Sequence, residues 1–220
     1  MDRCIGQQSR SDEQIDYRSA VPEDSRAIAG LICQAGGGLY EFLFDDLIPF
    51  MSAFDVVAAG VGASGLPLSY ENCLVASSGS SGVVGVANLF PADSISDEAF
   101  LSLVSDRFDH IRPMLQLRDR GSMFLNAIAV AGDCRGKGIG TRLIDQAEIC
   151  SLEAGLPRLS LHVWVDNVAA IKLYKRHGFV EVAIAEIAPA PKLPHRGGSL
   201  LMQKTLRPPA GRSKAGASPA

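Results

Sequence analysis

The feature that most constrains this chain lies past its middle. There a strongly apolar run, Met123–Val130, leads through Arg135-Gly136-Lys137-Gly138-Ile139-Gly140-Thr141 into a helical pattern predicted over 139–154. Glycines at a strand-to-helix turn permit positive φ and let backbone come close to a ligand. The free N–H groups of a helix start then face an anion, with the helix dipole behind them. A phosphate or pyrophosphate suits such a turn. Two familiar phosphate loops are excluded by spacing. Gly132 and Gly136 are separated by three residues rather than four, and Gly138 stands after Lys137 where a P-loop has Ser or Thr. Gly136, Gly138 and Gly140 alternate, which breaks the dinucleotide fingerprint, and the turn is not in the first βα unit.

The rest of the chain supplies the sheet around that turn. A short strand is predicted at 17–20, followed by a helix opening at Pro22-Glu23-Asp24 and broken by Gly36-Gly37-Gly38. Further helices are expected over 39–47 and, capped by Ser52, over 52–61. Strands at 72–76 and 83–90 flank a Ser/Gly hairpin loop, and 94–118 reads as helical. Beyond the glycine turn come a strand at 159–165, a helix at 168–177 capped by Asn167 and closed by Gly178, and strands at 179–187 and 200–206. Strand–helix–strand–helix–strand implies an α/β fold with a mixed, partly parallel central sheet flanked by helices in a single domain. That domain is expected over 16–206, between a flexible segment at 1–15 and a disordered tail at 207–220 rich in Pro, Gly, Ser and Ala.

Composition narrows the class. The chain carries 21 basic and 24 acidic residues, and 14 residues at its end hold three of the bases and no acid, which leaves −6 on the body. An acidic body with no polybasic run favours a cationic or amine partner over nucleic acid. Five widely spaced cysteines with no C-x-x-C argue against a disulfide framework or a zinc site, and no metal is expected. No apolar run approaches the length of a membrane span, and 1–16 has no signal-peptide character. The expected setting is cytoplasmic, with no membrane partner.

Val130 followed by Arg135-x-x-Gly138-x-Gly140 resembles the acyl-CoA-binding motif of the GNAT superfamily of N-acetyltransferases. The resemblance continues in order through Leu161 to Val165, Asn167, Ala169-Ala170, Leu173-Tyr174 and Gly178-Phe179, and is specific over about 123–182. It persists more weakly toward Tyr17-Arg18-Ser19-Ala20 and Asp24. It implies acetyl-CoA as co-substrate, with Ala129 and Val130 pairing to its pantetheine arm. The amides of Arg135, Gly136, Lys137, Gly138, Ile139, Gly140 and Thr141 would hold the pyrophosphate. Asn167 would cap its helix and contact the CoA arm, Val130 N–H would stabilise the oxyanion, and Tyr174 would protonate the leaving thiolate. A phenol with an ordinary pKa near 10 is protonated at neutral pH and can give its proton up as charge develops.

The general base is the weakest match. Many family members place a Glu mid-strand before the glycine turn; this strand offers only Asn126, which cannot act as a base but can position substrate. Glu41, Asp45 and Asp46 on the second helix, or His162, are substitutes, and Glu41 and Asp45 share a face able to bind a cationic amine. His195 and Arg196, in the loop before the last strand, would meet a carboxylate on the acceptor. Cys134, in the turn and so expected to expose its thiol, has no neighbouring His to activate it. The expected activity is acetyl transfer to a primary amine by direct attack in a ternary complex. The acceptor would be a small molecule or a protein amine, and a homodimer is compatible with this. The competing reading is a non-catalytic acyl-CoA sensor or interaction module on the same fold.

Overall fold

The computed structural model describes residues 14–94 and 106–207. Most of the expected segments at 1–15 and 207–220, and residues 95–105 of the predicted 94–118 helix, lie outside them. Seven strands form one mixed sheet in the order β1-β2-β3-β4-β5-β7-β6. They are β1 (Ile15–Ser19), β2 (Cys73–Ser78), β3 (Gly82–Pro91), β4 (Met123–Val130), β5 (Arg158–Trp164), β6 (Val180–Ala185) and β7 (Ser199–Thr205). Pairing is antiparallel for β1–β2, β2–β3, β5–β7 and β6–β7. It is parallel for β4–β5, at Met123–Leu159 and Phe124–Ser160. The helices are α1 (Ser25–Gly36), α2 (Leu39–Phe44), α3 (Ala53–Gly62), α4 (Asp106–Gln116), α5 (Ile139–Glu153) and α6 (Val168–Arg176). No helix among the described residues is long and apolar enough to cross a membrane.

The chain divides into two compact units. The first holds the described residues to Phe90, Leu125–Ala147 and Ala190–Pro194. Its core is built by the apolar stripe of α1 (Ile28, Leu31, Ile32) with Val57 and Val61 of α3, Val75 and Val86 of the hairpin, and Ala127 and Ala129 of β4. A two-pronged ion pair ties β1 to the start of α1: Arg18 donates to both Asp24 oxygens at 2.7 and 3.0 Å. Val21 N–H donates to Asp24 at 2.9 Å. The Arg18 hydrogen bond is the main cause that holds the Asp24 carboxyl below its usual range. Ser52 and Asp55 form the capping box that starts α3.

One expected boundary changes. The second helix stops at Phe44 rather than 47, because Asp45 turns extended (ψ 135°) and Asp46 adopts φ 63°. Asp45 therefore leaves the helix, and its carboxylate accepts the Ala53 amide at 3.3 Å. Asp46 pairs with Lys192 at 2.9 Å.

The second unit holds Pro91–Phe124, Glu148–Pro189 and the described residues from His195 onward. Its core includes Leu159, Leu161, Val163, Phe179, Leu200, Leu201 and Met202, from β5, β7 and the approach to β6. Arg158 clamps Asp119, with Nε and Nη2 each 3.1 Å from a carboxylate oxygen. Lys204 pairs with Glu148.

Burial raises several acids in the fold. The Cys33 thiol is pushed up to about 11, Cys73 and Tyr40 to about 12, and Tyr174 to about 12. Their ordinary values are 9.0 for the thiols and 10.0 for the phenols. A raised folded pKa means the folded chain holds its proton longer than the unfolded one. The associated stability is complete below the unfolded value and is lost as pH climbs through the folded value. The urea midpoint, measured under reducing conditions, is expected to hold up to about pH 8 and to fall between about pH 9 and 12. A midpoint unchanged to about pH 11 would refute this.

Candidate active site

Strand β4 alternates strictly. Met123, Leu125, Ala127 and Ala129 are buried, whereas Phe124, Asn126, Ile128 and Val130 are half-buried. Asn126 and Val130 therefore share one set of side chains. Successive backbone groups also alternate in direction along a strand. Ala131 N–H donates to Val84 at 2.8 Å, so the amide and carbonyl of Val130 point the opposite way. The Val130 carbonyl is met there by Gln34 Nε2 at 3.2 Å and Arg135 Nε at 3.1 Å.

After Val130 a single 3-10 turn, Gly132–Cys134, delivers the chain to the glycines. Gly136 and Gly138 hold φ of 77° and 79°, and a Cβ at either would meet nothing within 4 Å. This is open, left-handed backbone of the kind a ligand can approach. The helical ladder of α5 opens with Arg142 N–H donating to Gly138 at 3.1 Å, so the amides of Ile139, Gly140 and Thr141 precede it. Cys134 is buried at 6% exposure, which corrects the expectation of an exposed thiol and leaves it no nucleophilic role.

Asn126 is held by a buried polar network. Its amide donates to Asn88 Oδ1 at 2.9 Å. The Asn88 amide donates in turn to the Pro67 and Asn72 carbonyls at 3.1 and 3.2 Å. Asn126 also hydrogen-bonds the Tyr40 phenol, whose pKa is nevertheless raised by burial. Glu41 is exposed on α2.

In the second unit, Asn167 and Tyr174 sit at the two ends of α6. Asn167 Oδ1 accepts the Ala170 amide at 3.1 Å, an N-cap in the ordinary sense. Tyr174 is 9% exposed, its ring packed edge-on against Phe179 at 5.7 Å. His162 has both ring nitrogens engaged: Nδ1 with Ser199 Oγ at 3.0 Å and Nε2 with the Leu117 carbonyl at 2.7 Å. Nε2 must donate to that carbonyl, and in the neutral ring Nδ1 then accepts from the serine. Burial also lowers the pKa of His162. It is a half-buried histidine without a nitrogen to spare for substrate. His195 and Arg196 do meet a carboxylate, but an internal one. Asp166 Oδ1 bonds His195 Nδ1 at 3.0 Å, and Oδ2 accepts the Arg196 amide at 3.0 Å.

Sequence reasoning missed this last group and the Tyr40–Asn126–Asn88 network. Asn88 left a signal, as a lone amide in the apolar strand 83–90. Asp166 and His195, 29 residues apart, left none.

A family model described as the acetyltransferase (GNAT) family matches residues 66–179. GCN5-related N-acetyltransferase 4, chloroplastic, of Arabidopsis thaliana is 30% identical over 197 residues, covering 81% of this chain and 66% of that protein. Mycothiol acetyltransferase of Jonesia denitrificans is 40% identical over 58 residues, 26% of this chain and 18% of that protein. The chain thus spans just under two thirds of the first relative and under a fifth of the second. Among solved structures, an N-acetyltransferase from Staphylococcus aureus Mu50 superposes with a TM-score of 0.64 at 20% identity, over 86% of this chain and 99% of that one. The Drosophila melanogaster polyamine N acetyltransferase does so with a TM-score of 0.62 at 15% identity, over 88% and 100%. At these identities the structural likenesses establish the fold.

Proposed function

Because the chain belongs to the GNAT acetyltransferase family, we propose that it transfers acetyl from acetyl-CoA to a primary amine by direct attack in a ternary complex. The observation that carries this reading is the run from β4 through Gly136 and Gly138 into α5. It presents open left-handed backbone and leading helix amides where an anion would bind. These residues fit the pyrophosphate of a CoA thioester, with Arg135 and Lys137 supplying positive charge. Ala129 and Val130 supply strand backbone for the pantetheine arm, once Gln34 and Arg135 release the Val130 carbonyl. Val130 N–H points away from the β3 side and is the oxyanion donor in this reading.

Tyr174 is the acid. Burial keeps its phenol protonated well past neutral pH, and the hydroxyl gives its proton to sulfur as the C–S bond breaks. Asn167 holds the start of the helix that carries Tyr174 and is the second CoA contact. Exposed Glu41 and half-buried Asp45 give the first unit an acidic surface that attracts an ammonium group, and Asn126 positions the acceptor. The free thiols of Cys33, Cys73, Cys134 and Cys150 are in keeping with a reducing, cytoplasmic setting.

A panel of small primary amines, polyamines and peptides with free N-termini, assayed for thiol release from acetyl-CoA, tests the reading. Amine-dependent release by at least one class is expected. Tight acetyl-CoA binding without release by any of them would favour a sensor instead.

A further inference from the structure

The stretch of β4 that leads to the glycine turn is met at both ends by one piece of chain from the same unit. Gln34, near the end of α1, reaches the Val130 carbonyl at 3.2 Å, and Tyr40, in the first turn of α2, hydrogen-bonds Asn126. Asn126 also belongs to a relay whose direction is fixed from its far end. Asn88 is wholly buried. Its side-chain nitrogen meets the Pro67 and Asn72 carbonyls at 3.1 and 3.2 Å, and a carbonyl can only accept. The orientation of the Asn88 amide is thereby set, and its Oδ1 faces the Asn126 nitrogen at 2.9 Å. Asn126 must donate there, so its own Oδ1 is turned away from Asn88. Tyr40 takes up at most one of the two Oδ1 lone pairs, which leaves one open. Asn126 makes no further hydrogen bond among the described residues. A buried network with its members paired holds one geometry, so this half-buried oxygen is presented in one direction.

We infer that Asn126 determines acceptor specificity: its Oδ1 accepts a hydrogen from a second N–H donor on the amine substrate, with Asn88 as the positioning residue. This rests on the acetyltransferase reading above, with the oxyanion at Val130 N–H. Asn126 and Val130 are four residues apart on β4. Four residues of strand span about 13 Å. A thioester carbonyl on the Val130 amide and a nitrogen in attacking position beyond it cover roughly half of that. The reacting nitrogen is therefore outside hydrogen-bond reach of Asn126, and Oδ1 meets a group farther along the acceptor. That group must be a donor, because Oδ1 only accepts. An ether oxygen brought to the same place would face it lone pair to lone pair, and a methyl would leave it unpaired. The acceptor class is thus a primary amine with a second N–H several ångströms from the reacting nitrogen. A second ammonium and an amide N–H share that chemistry.

The test uses the full chain, acetyl-CoA and a set of short primary amines of matched length: trimethylenediamine, glycine N-methylamide, butylamine and methoxyethylamine. In the wild type, kcat/KM is expected to favour the diamine or the amide over the other two by roughly tenfold, the worth of one hydrogen bond. Which of the two leads tells a second ammonium from an amide N–H. Asn126→Ala should bring the whole set within about threefold. Asn88→Ala frees the Asn126 amide to turn its nitrogen outward, so the preference for the diamine or amide over methoxyethylamine should shrink. A merely structural role for Asn88 would lower all the rates together and leave their ratios as they were, which would overturn its positioning role. Either variant decides the contact if the other does not fold, and the wild-type ratios test it without any variant. An active wild type that favours neither the diamine nor the amide, or a preference that survives in Asn126→Ala, overturns the second-donor contact alone. If the wild type releases no thiol with any amine of the wider panel, the acetyltransferase reading fails and this inference falls with it.

Discussion

Tyr174→Phe is expected to lower turnover by about 10²–10⁴-fold while leaving acetyl-CoA affinity nearly unchanged. The substitution removes one hydroxyl and keeps the ring of Tyr174, 9% exposed on α6, that packs edge-on against Phe179. Packing and fold should therefore survive, and the loss should fall on the chemical step rather than on the apparent affinity for the amine. Burial adds a pH signature. With its pKa pushed up to about 12, Tyr174 remains an acid across the whole working range. No alkaline loss of rate should come from its ionisation until pH approaches about 12. Single-turnover measurement of CoA release, with both substrates saturating, isolates the step. A variant that reacts at nearly the wild-type rate there would show that Tyr174 only packs, and that water or another hydroxyl protonates the thiolate.

The local elements were legible where apolar period and end signals agreed. Strand β4 was expected at Met123–Val130 and is found there. Helix α5 runs from Ile139 to Glu153, followed by Gly155 at φ 73°, as its pattern and its glycine C′ predicted. Helix α6 begins after an Asn167 whose side chain caps it. The second helix was read too long for an instructive reason. Leu47, Ile48 and Phe50 look like a continuing apolar face, but all three are exposed, and Phe50 takes φ 63°. Periodicity cannot tell an apolar turn from a helix end when Pro49 is the sole punctuation.

The candidate site was legible in the same uneven way. The glycine turn announced itself because its chemistry is backbone chemistry and its residues are consecutive. Glycines there permit positive φ, and Gly136 and Gly138 adopt it. His162 read as ambiguous, since nothing local shows that Leu117 and Ser199 take up its nitrogens. The pairing of Asp166 with His195 was invisible. It exists because the β6–β7 loop returns over the end of β5, and sheet order, not sequence spacing, decides that. Side-chain chemistry that joins distant segments needs the fold; chemistry carried by a single turn does not.

That distinction makes Gly138→Val the sharpest test of the turn. Gly138 holds φ 79°, a conformation that β-branched residues avoid, yet a Cβ there meets nothing within 4 Å. The free chain has room for the added Cβ, and the main cost to folding is backbone strain of about 1–3 kcal/mol. A phosphate approaching the amides has no such room, because the added methyls occupy the space it would fill. Loss of binding should therefore exceed loss of stability, with acetyl-CoA affinity falling at least roughly a hundredfold, or about 2.7 kcal/mol. Gly138→Ala separates the two causes. It carries most of the strain and little of the bulk, so its binding defect should be clearly smaller. Calorimetric titration of each variant, alongside its thermal unfolding, gives both numbers. If folded Gly138→Val binds acetyl-CoA as tightly as the wild type does, the pyrophosphate does not sit on this turn. If Ala and Val weaken binding equally, backbone strain rather than the blocked approach is responsible, and the turn acts by its shape instead of its openness.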